Sequence, residues 1–433
     1  MSRRFWQLVY NIFSVPLQFV GFHVIALFSK KVRLGIRGRK SSKKRLKQFC
    51  ANRNPDHPVY VVHCASLGEY EMAKPIIESI RNHRPEIDIV LTFFSPSGYE
   101  QVQDKNAASI TVYLPFDSVQ SVHRFYKMLQ PEKLILTSYE IWPNLIWLAK
   151  HYDIETYLTS ARLRSGSAKT WPLIRNFYSD VFRDIDHIYP ITENDMVLLQ
   201  KYFTLPENLE IDVLGNTRYD RVLERSQNHK DTHLLPQGFQ HQPTLIAGSI
   251  WPNDNRVILP ALSQILQDFD DLKLVLAPHE PSKQHLNELE EWCEKNQLHY
   301  NNLSKMNGSS AQSRVVLVDS VGVLAELYRD GDIAFVGGAF RGSVHNVMEP
   351  AAADCVVTFG PKYHNSNEAE LLVQSGGGFA VENSEEFRAV LQNLLSNRES
   401  LERSQKIARR IIKENAGATR KTVNHILNET VEA

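Results

Sequence analysis

From Pro58 onward the chain alternates short apolar runs with helical stretches, and it does so in two successive series. Few patterns constrain a fold more tightly. Strands separated by a helix's worth of residues pair in parallel, and a parallel sheet needs helices on both faces. The first series has apolar runs at Val59–His63, Ile89–Phe93, Lys133–Thr137, Glu155–Leu158, His187–Pro190 and Asp212–Leu214, with helices such as Ala73–Arg81 and Asp195–Tyr202 between them. The second has Thr244–Ala247, Lys273–Ala277, Val315–Val318, Ile333–Val336, Val356–Phe359 and Gly378–Val381. The last fifty residues are charged and read as helix. Two doubly wound, Rossmann-like α/β domains follow, at 31–228 and 243–433, the second carrying the terminal helices. A polar linker at 229–242 joins them. A length of 433 residues suits two domains of about 200 each. Ligands are expected in a cleft outside the carboxyl ends of the strands.

Residues 1–30 stand apart. Phe5–Ser29 contains no Lys, Arg, Asp or Glu, and at 1.5 Å per residue its 25 residues could cross a hydrocarbon core of roughly 30 Å. Pro16 interrupts it, and Gln7, Asn11, Ser14 and Gln18 fall on one helical face, a polar stripe that also suits a helix lying in the interface. The run precedes the first strand by some thirty residues, so neither sheet is expected to depend on it. Twelve Lys and Arg, and no Asp or Glu, occur in the first fifty residues, ten of them between Lys30 and Lys47. The remainder carries 37 basic against 49 acidic residues. A basic end on an acidic body points to an anionic membrane surface, not to a nucleic-acid-binding body. Under the positive-inside rule the body faces the cytoplasm. The four cysteines form no CxxC pair, which gives no disulfide framework or metal knuckle and fits a reducing compartment.

Chemistry-bearing residues gather just after the strands. His63-Cys64-Ala65-Ser66-Leu67-Gly68-Glu69 ends a strand and opens a helix. Glu69 there is either a cleft carboxylate or a helix-start acid favoured by the macrodipole. Ser138-Tyr139-Glu140-Ile141-Trp142-Pro143-Asn144 follows another strand. In the second series Ser249 ends a strand, and Gly337-Gly338 ends another before His345-Asn346-Val347-Met348-Glu349-Pro350 starts a helix. Free amides at that start would suit a phosphate, and Glu349 one turn in would suit ribose hydroxyls. Lys362 and Asn365 add a cation and an amide on the next loop.

In this order the blocks H-C-A-S-L-G-E, F-S-P-S-G-Y-E, Y-E-I-W-P-N, S-A-R-L, G-N-T-R-Y-D, A-G-S, G-G-A-F and H-N-V-M-E-P-A-A resemble those of the 3-deoxy-D-manno-octulosonic acid (Kdo) transferases of lipopolysaccharide synthesis. The resemblance implies a GT-B fold and transfer of Kdo from CMP-Kdo to a lipid A precursor at the cytoplasmic side of the inner membrane. It implies that Glu69 is the catalytic base and Glu140 a second active-site acid. Ser66, Gly68 and Arg162 then lie on the acceptor side. Ser249, Gly338, Asn346, Glu349, Lys362 and Asn365 lie on the donor side. The family's Pro-Arg-His-Pro stretch reads Pro278-His279-Glu280-Pro281 here. A bidentate phosphate contact is therefore lost, and His279 or Lys362 is the expected replacement. The expected reaction is a single displacement that inverts the anomeric centre and uses no metal or other cofactor. Two alternatives remain open: a GT-B transferase using another nucleotide sugar, and a non-catalytic, membrane-tethered sugar-nucleotide binder.

Overall fold

A computed structural model describes residues 3–102, 108–138, 141–163, 166–207, 209–227, 234–239, 241–306 and 313–429. The chain divides into two compact units, Met1–Arg221 with Ala416–Ala433, and Val222–Asn415. Each holds a seven-stranded sheet in which every pair is parallel.

The first sheet comprises β1 (Val59–Cys64), β2 (Asp88–Phe93), β3 (Ile110–Tyr113), β4 (Lys133–Thr137), β5 (Glu155–Ala161), β6 (His187–Pro190) and β7 (Glu210–Ile211). Its order is β3-β2-β1-β4-β5-β6-β7. The second comprises β8 (Thr244–Ile250), β9 (Lys273–Pro278), β10 (Tyr300–Asn302), β11 (Val315–Leu317), β12 (Ile333–Val336), β13 (Val356–Phe359) and β14 (Gly378–Ala380). Its order is β10-β11-β9-β8-β12-β13-β14. Successive residues of β1 enter different cores: Val59 and Val61 one, Tyr60, Val62 and Cys64 the other. Burial on both faces is why these strands read as unbroken apolar runs.

The sequence misses β3 and β10 and sets the last strand of the first series at Asp212–Leu214 rather than Glu210–Ile211. It also assigns the whole carboxyl end to the second domain, whereas the final helix, Ala418–Leu427, packs in the first unit. Val423, Ile426 and Leu427 join that unit's core. Asp220 holds the helix start, accepting from the N–H of Gly417 at 2.5 Å and of Thr419 at 2.9 Å. Lys133 reaches the Ile426 carbonyl at 2.5 Å and Glu155 at 2.8 Å.

The apolar amino-terminal run is helical from Arg3 to Phe28, with a π-helical turn at Tyr10–Ser14. Pro16 has no N–H to offer the preceding turn, which widens instead. Only 6% of its most apolar window is buried, so it is not a core helix. Yet one side docks on the first unit. Tyr10 donates to Asp117 at 2.9 Å, Trp6 meets Phe177 edge-on at 5.7 Å, and Phe22 meets Phe94 at 5.4 Å. Of the polar stripe, Gln7, Asn11 and Ser14 are half-buried on this side, while Ile12, Phe13, Leu17 and Val20 are exposed. All of the stripe but the exposed Gln18 thus faces protein, and the helix is inside out relative to a soluble amphipathic helix.

Lys30–Asn52 forms a second helix. It covers the edge strand β3 at close range: Ser42 accepts the Tyr113 N–H at 2.9 Å, and a Cβ on Gly38 would fall 2.2 Å from the Tyr113 ring. Covering an edge this way removes a site for unwanted strand pairing.

Candidate functional site

The central strand β1 delivers the first group of residues. Its chain breaks out of the sheet at Ala65 and enters the Leu67–His83 helix, with extended Ser66 as N-cap. Glu69 sits at the third position, where its Oε2 accepts the Ser66 N–H at 2.9 Å and the Ser66 side chain returns a bond to its backbone. This capping box fixes a carboxylate that is only 8% exposed. The Ser66–Glu69 turn is held from behind by the loop after β2. Ser95 N–H bonds the Ala65 carbonyl at 2.8 Å, and Gly98 packs so closely that a Cβ would meet Phe93 at 2.4 Å. Beside Gly68, by contrast, no described residue comes nearer to an added Cβ than Ser66 Oγ, at 3.9 Å. Arg162 follows directly on β5 and is half-buried. Glu140 lies outside the described residues, two positions after Ser138, whose φ of 67° is left-handed. Beyond it, Asp117 takes the Asn144 N–H at 3.1 Å and the Leu145 N–H at 2.9 Å, capping the Pro143–His151 helix.

The second unit presents its own cluster at the carboxyl ends of β8, β9 and β12. Ser249 is left-handed (φ 54°) where the β8–β9 register slips. Gly337 passes it so closely that a Cβ would lie 2.3 Å from the Ser249 carbonyl oxygen, and Gly338 takes φ 97°. Such strain at strand ends is typical of ligand-binding backbone. Asp254, fully buried, accepts from the N–H of Gly338 at 2.9 Å and of Trp251 at 2.8 Å, which ties the glycine turn to the helix after β8. His279 is sandwiched, its ring 4.6 Å from Trp251 and 4.4 Å from His345. The Trp251 indole N–H donates to His345 Nε2 at 3.0 Å, and the Arg341 guanidinium lies 3.9 Å above the Trp251 ring. Burial, aided by His279 and Arg341, pushes the His345 pKa down to about 4.

Asn346, Glu349, Asn365 and Lys362 already make hydrogen bonds within the second unit. The helix carrying Glu349 is one short turn, Met348–Ala352, and Asn346 Oδ1 already accepts the Met348 N–H at 3.1 Å. Asn346 therefore closes a turn just before that helix, and the Met348 N–H is not open to a phosphate. Glu349 accepts from Arg225 at 3.0 Å, a partner that no local pattern signals. Asn365 uses both ends of its amide on the Val344 backbone, at 3.1 and 3.2 Å, so it clamps the Gly338–His345 loop. Lys362 holds the same loop through its backbone, and its side chain is exposed.

Among the described residues one trio could hold a cation: Glu210, Asp212 and His425. It lies by the amino ends of β6 and β7, the opposite edge of the sheet from Glu69, and Glu210 is already engaged by His187 at 3.0 Å and His425 at 2.8 Å.

A family model described as 3-deoxy-D-manno-octulosonic-acid transferase (kdotransferase) matches residues 40–221. A 3-deoxy-D-manno-octulosonic acid transferase of Aquifex aeolicus is 31% identical over 351 residues, spanning 80% of this chain and 88% of that protein. The enzyme of the same description from Haemophilus influenzae is 29% identical over 368 residues, 84% of this chain and 85% of its own length. The UDP-GlcNAc 2-epimerase of Neisseria meningitidis superposes with a TM-score of 0.61 at 15% identity, covering 86% of this chain and all of that one, and so shares the fold. Acinetobacter baumannii MurG does likewise, with a TM-score of 0.54 at 14% identity over 86% of this chain and 99% of its own. Paired parallel sheets, the capped acid after β1 and these relatives agree: the chain belongs to the 3-deoxy-D-manno-octulosonic acid transferases, glycosyltransferases of the GT-B fold.

Proposed function

We propose that the protein transfers Kdo from CMP-Kdo to a sugar hydroxyl of a lipid A precursor, with Glu69 as general base. The observation carrying this reading is the capped Glu69 carboxylate. It is fixed at the end of the central strand beside a glycine that leaves room for a substrate. Glu69 takes the proton as the hydroxyl oxygen attacks the anomeric carbon, and the bond to CMP breaks on the opposite face. One displacement inverts the centre. The leaving group is CMP, a phosphate monoester whose charge is met by the Ser249–Gly338 backbone and by His279 or Lys362, without a metal. Glu349 holds the ribose, and Glu140 is the second acid.

The enzyme works at the cytoplasmic face of the inner membrane. The Arg3–Phe28 helix is tied sideways to the first unit at Arg3, Trp6, Tyr10 and Phe22, a pattern that favours a helix lying in the interface over one crossing the bilayer. The test is incubation of membranes containing the protein with CMP-Kdo and a tetraacylated lipid A precursor. Product mass should rise by Kdo units, and the new linkage should be inverted by NMR. Absence of Kdo-bearing product from folded protein would refute the reading.

A further inference from the structure

Between the Lys30–Asn52 helix, β3 and the Val119–Leu129 helix lies a groove of about 250 Å³. Its floor is apolar, made by Leu46, Val112, Phe125 and Met128. Lys40, Lys43 and Arg124 line its exposed edge, and none forms an ion pair among the described residues. At its inner end Arg39 is packed among the rings of Phe94, Phe116 and Tyr113 at 4.6, 4.9 and 5.4 Å. Among the described residues its guanidinium donates to two carbonyls, of Gly35 at 3.1 Å and Phe94 at 3.1 Å, and its buried Nε has no acceptor. Burial draws its pKa down to about 10. A desolvated guanidinium with no carboxylate is costly unless an anion completes it.

Four cations around an apolar trough match an amphiphile with an anionic head and an aliphatic tail. The surroundings say which amphiphile. Phe116, on the groove wall, touches Phe19 at 5.6 Å and Phe22 at 5.9 Å, so the groove adjoins the helix whose outer face is bare Ile12, Leu17, Val20 and Val24. We infer that this groove seats one anionic phospholipid of the bilayer, its phosphate against Arg39, Lys40, Lys43 and Arg124 and its acyl chain on Leu46, Phe125 and Met128. The inference rests on the membrane-surface part of the proposed function and is independent of glycosyl transfer.

The experiment is calorimetric titration of the full-length protein in neutral detergent with dihexanoyl phosphatidylglycerol, below its micellar concentration. Saturation at one lipid per chain is expected, with at least ten-fold weaker binding of dihexanoyl phosphatidylcholine and of glycerol 1-phosphate. The combined Lys40→Gln, Lys43→Gln and Arg124→Gln variant, which changes only exposed side chains, should lose ten-fold or more in affinity with an unchanged Tm. Equal binding of the zwitterionic lipid, or an unaffected variant, would overturn the seat. Glycerol 1-phosphate binding as tightly as the lipid would reduce it to a free-anion site. Stoichiometric displacement by the tetraacylated precursor would reassign it to the acceptor and also overturn it. Sedimentation of wild type and variant with neutral vesicles separates this outcome from a failure of the membrane reading, because that association runs through Arg3–Phe28.

Discussion

Arg225 reaches the carboxylate of Glu349 at 3.0 Å, so the acid proposed to hold the donor's ribose is oriented by a cation on the Arg218–Gln227 helix. Glu349→Ala is expected to weaken CMP binding by about 1.5–3 kcal/mol, the range for a hydrogen bond to a charged group. Arg225→Ala should produce a smaller loss through the same carboxylate, and the double variant should be no worse than Glu349→Ala alone. Calorimetry with CMP decides; additive losses would mean that the two residues act separately.

Glu69 has two duties, and one substitution separates them. A glutamine can still accept the Ser66 N–H, so Glu69→Gln keeps the capping box and the fold. It cannot take a proton, and kcat should fall about 10²–10⁴-fold with CMP affinity unchanged. A folded variant retaining more than a third of wild-type kcat refutes the role.

Deleting residues 1–28 should move the protein from the membrane toward the soluble fraction, with residual, salt-sensitive binding through Lys30–Lys47. It should also lower Tm, because Asp117 loses the Tyr10 hydroxyl and Asn144 loses the reciprocal amide pair with Asn11 at 2.9 and 3.0 Å. Tyr10→Phe isolates the first effect, and about 1.5–3 kcal/mol is expected from urea denaturation. A truncated protein of unchanged stability would show that the docking carries no weight.

Stability should fall in acid. Burial holds the His63 pKa down to about 3 and His345 to about 4. Between those values and about 6.5 the unfolded chain binds protons that the folded one does not. The stability is therefore present above about 6.5 and is lost as pH falls toward 4. Protonation of His345 Nε2 would also remove the acceptor of the Trp251 N–H. Asp117 and Asp184 oppose this, since burial raises each pKa to about 6 and stability from those groups is lost as pH rises from about 4 to 6. Denaturation midpoints for His345→Gln between pH 4.5 and 7 should vary less than those of wild type; an identical slope would exclude His345 as a source.

Much of this was readable in the residues. Strands buried on both faces, such as β1, β4, β12 and β13, announce themselves as apolar runs. The short edge strands do not: β10 is Tyr-Asn-Asn and half-buried, and β3 owes its burial to the Lys30–Asn52 helix lying over it. Periodicity locates the Gln7–Ser14 stripe but cannot say that it faces protein, because that depends on Asn144 and Asp117, more than a hundred residues away. The capped Glu69 and the Gly337-Gly338 turn follow from local sequence. Asp254, Arg225 and the Trp251–His279–His345 stack do not, since each is assembled by residues brought together only in the folded chain.

The helix at Ala418–Leu427 has a consequence for biosynthesis. The first unit is translated first, but its core lacks Val423, Ile426 and Leu427, and Lys133 lacks the Ile426 carbonyl, until residues 418–427 are made. The second unit, Val222–Asn415, is continuous, and its cores draw only on residues within it. The half of the protein that emerges first is thus the half completed last, and a released chain ending before residue 418 would carry an intact second unit and a first unit missing part of its core.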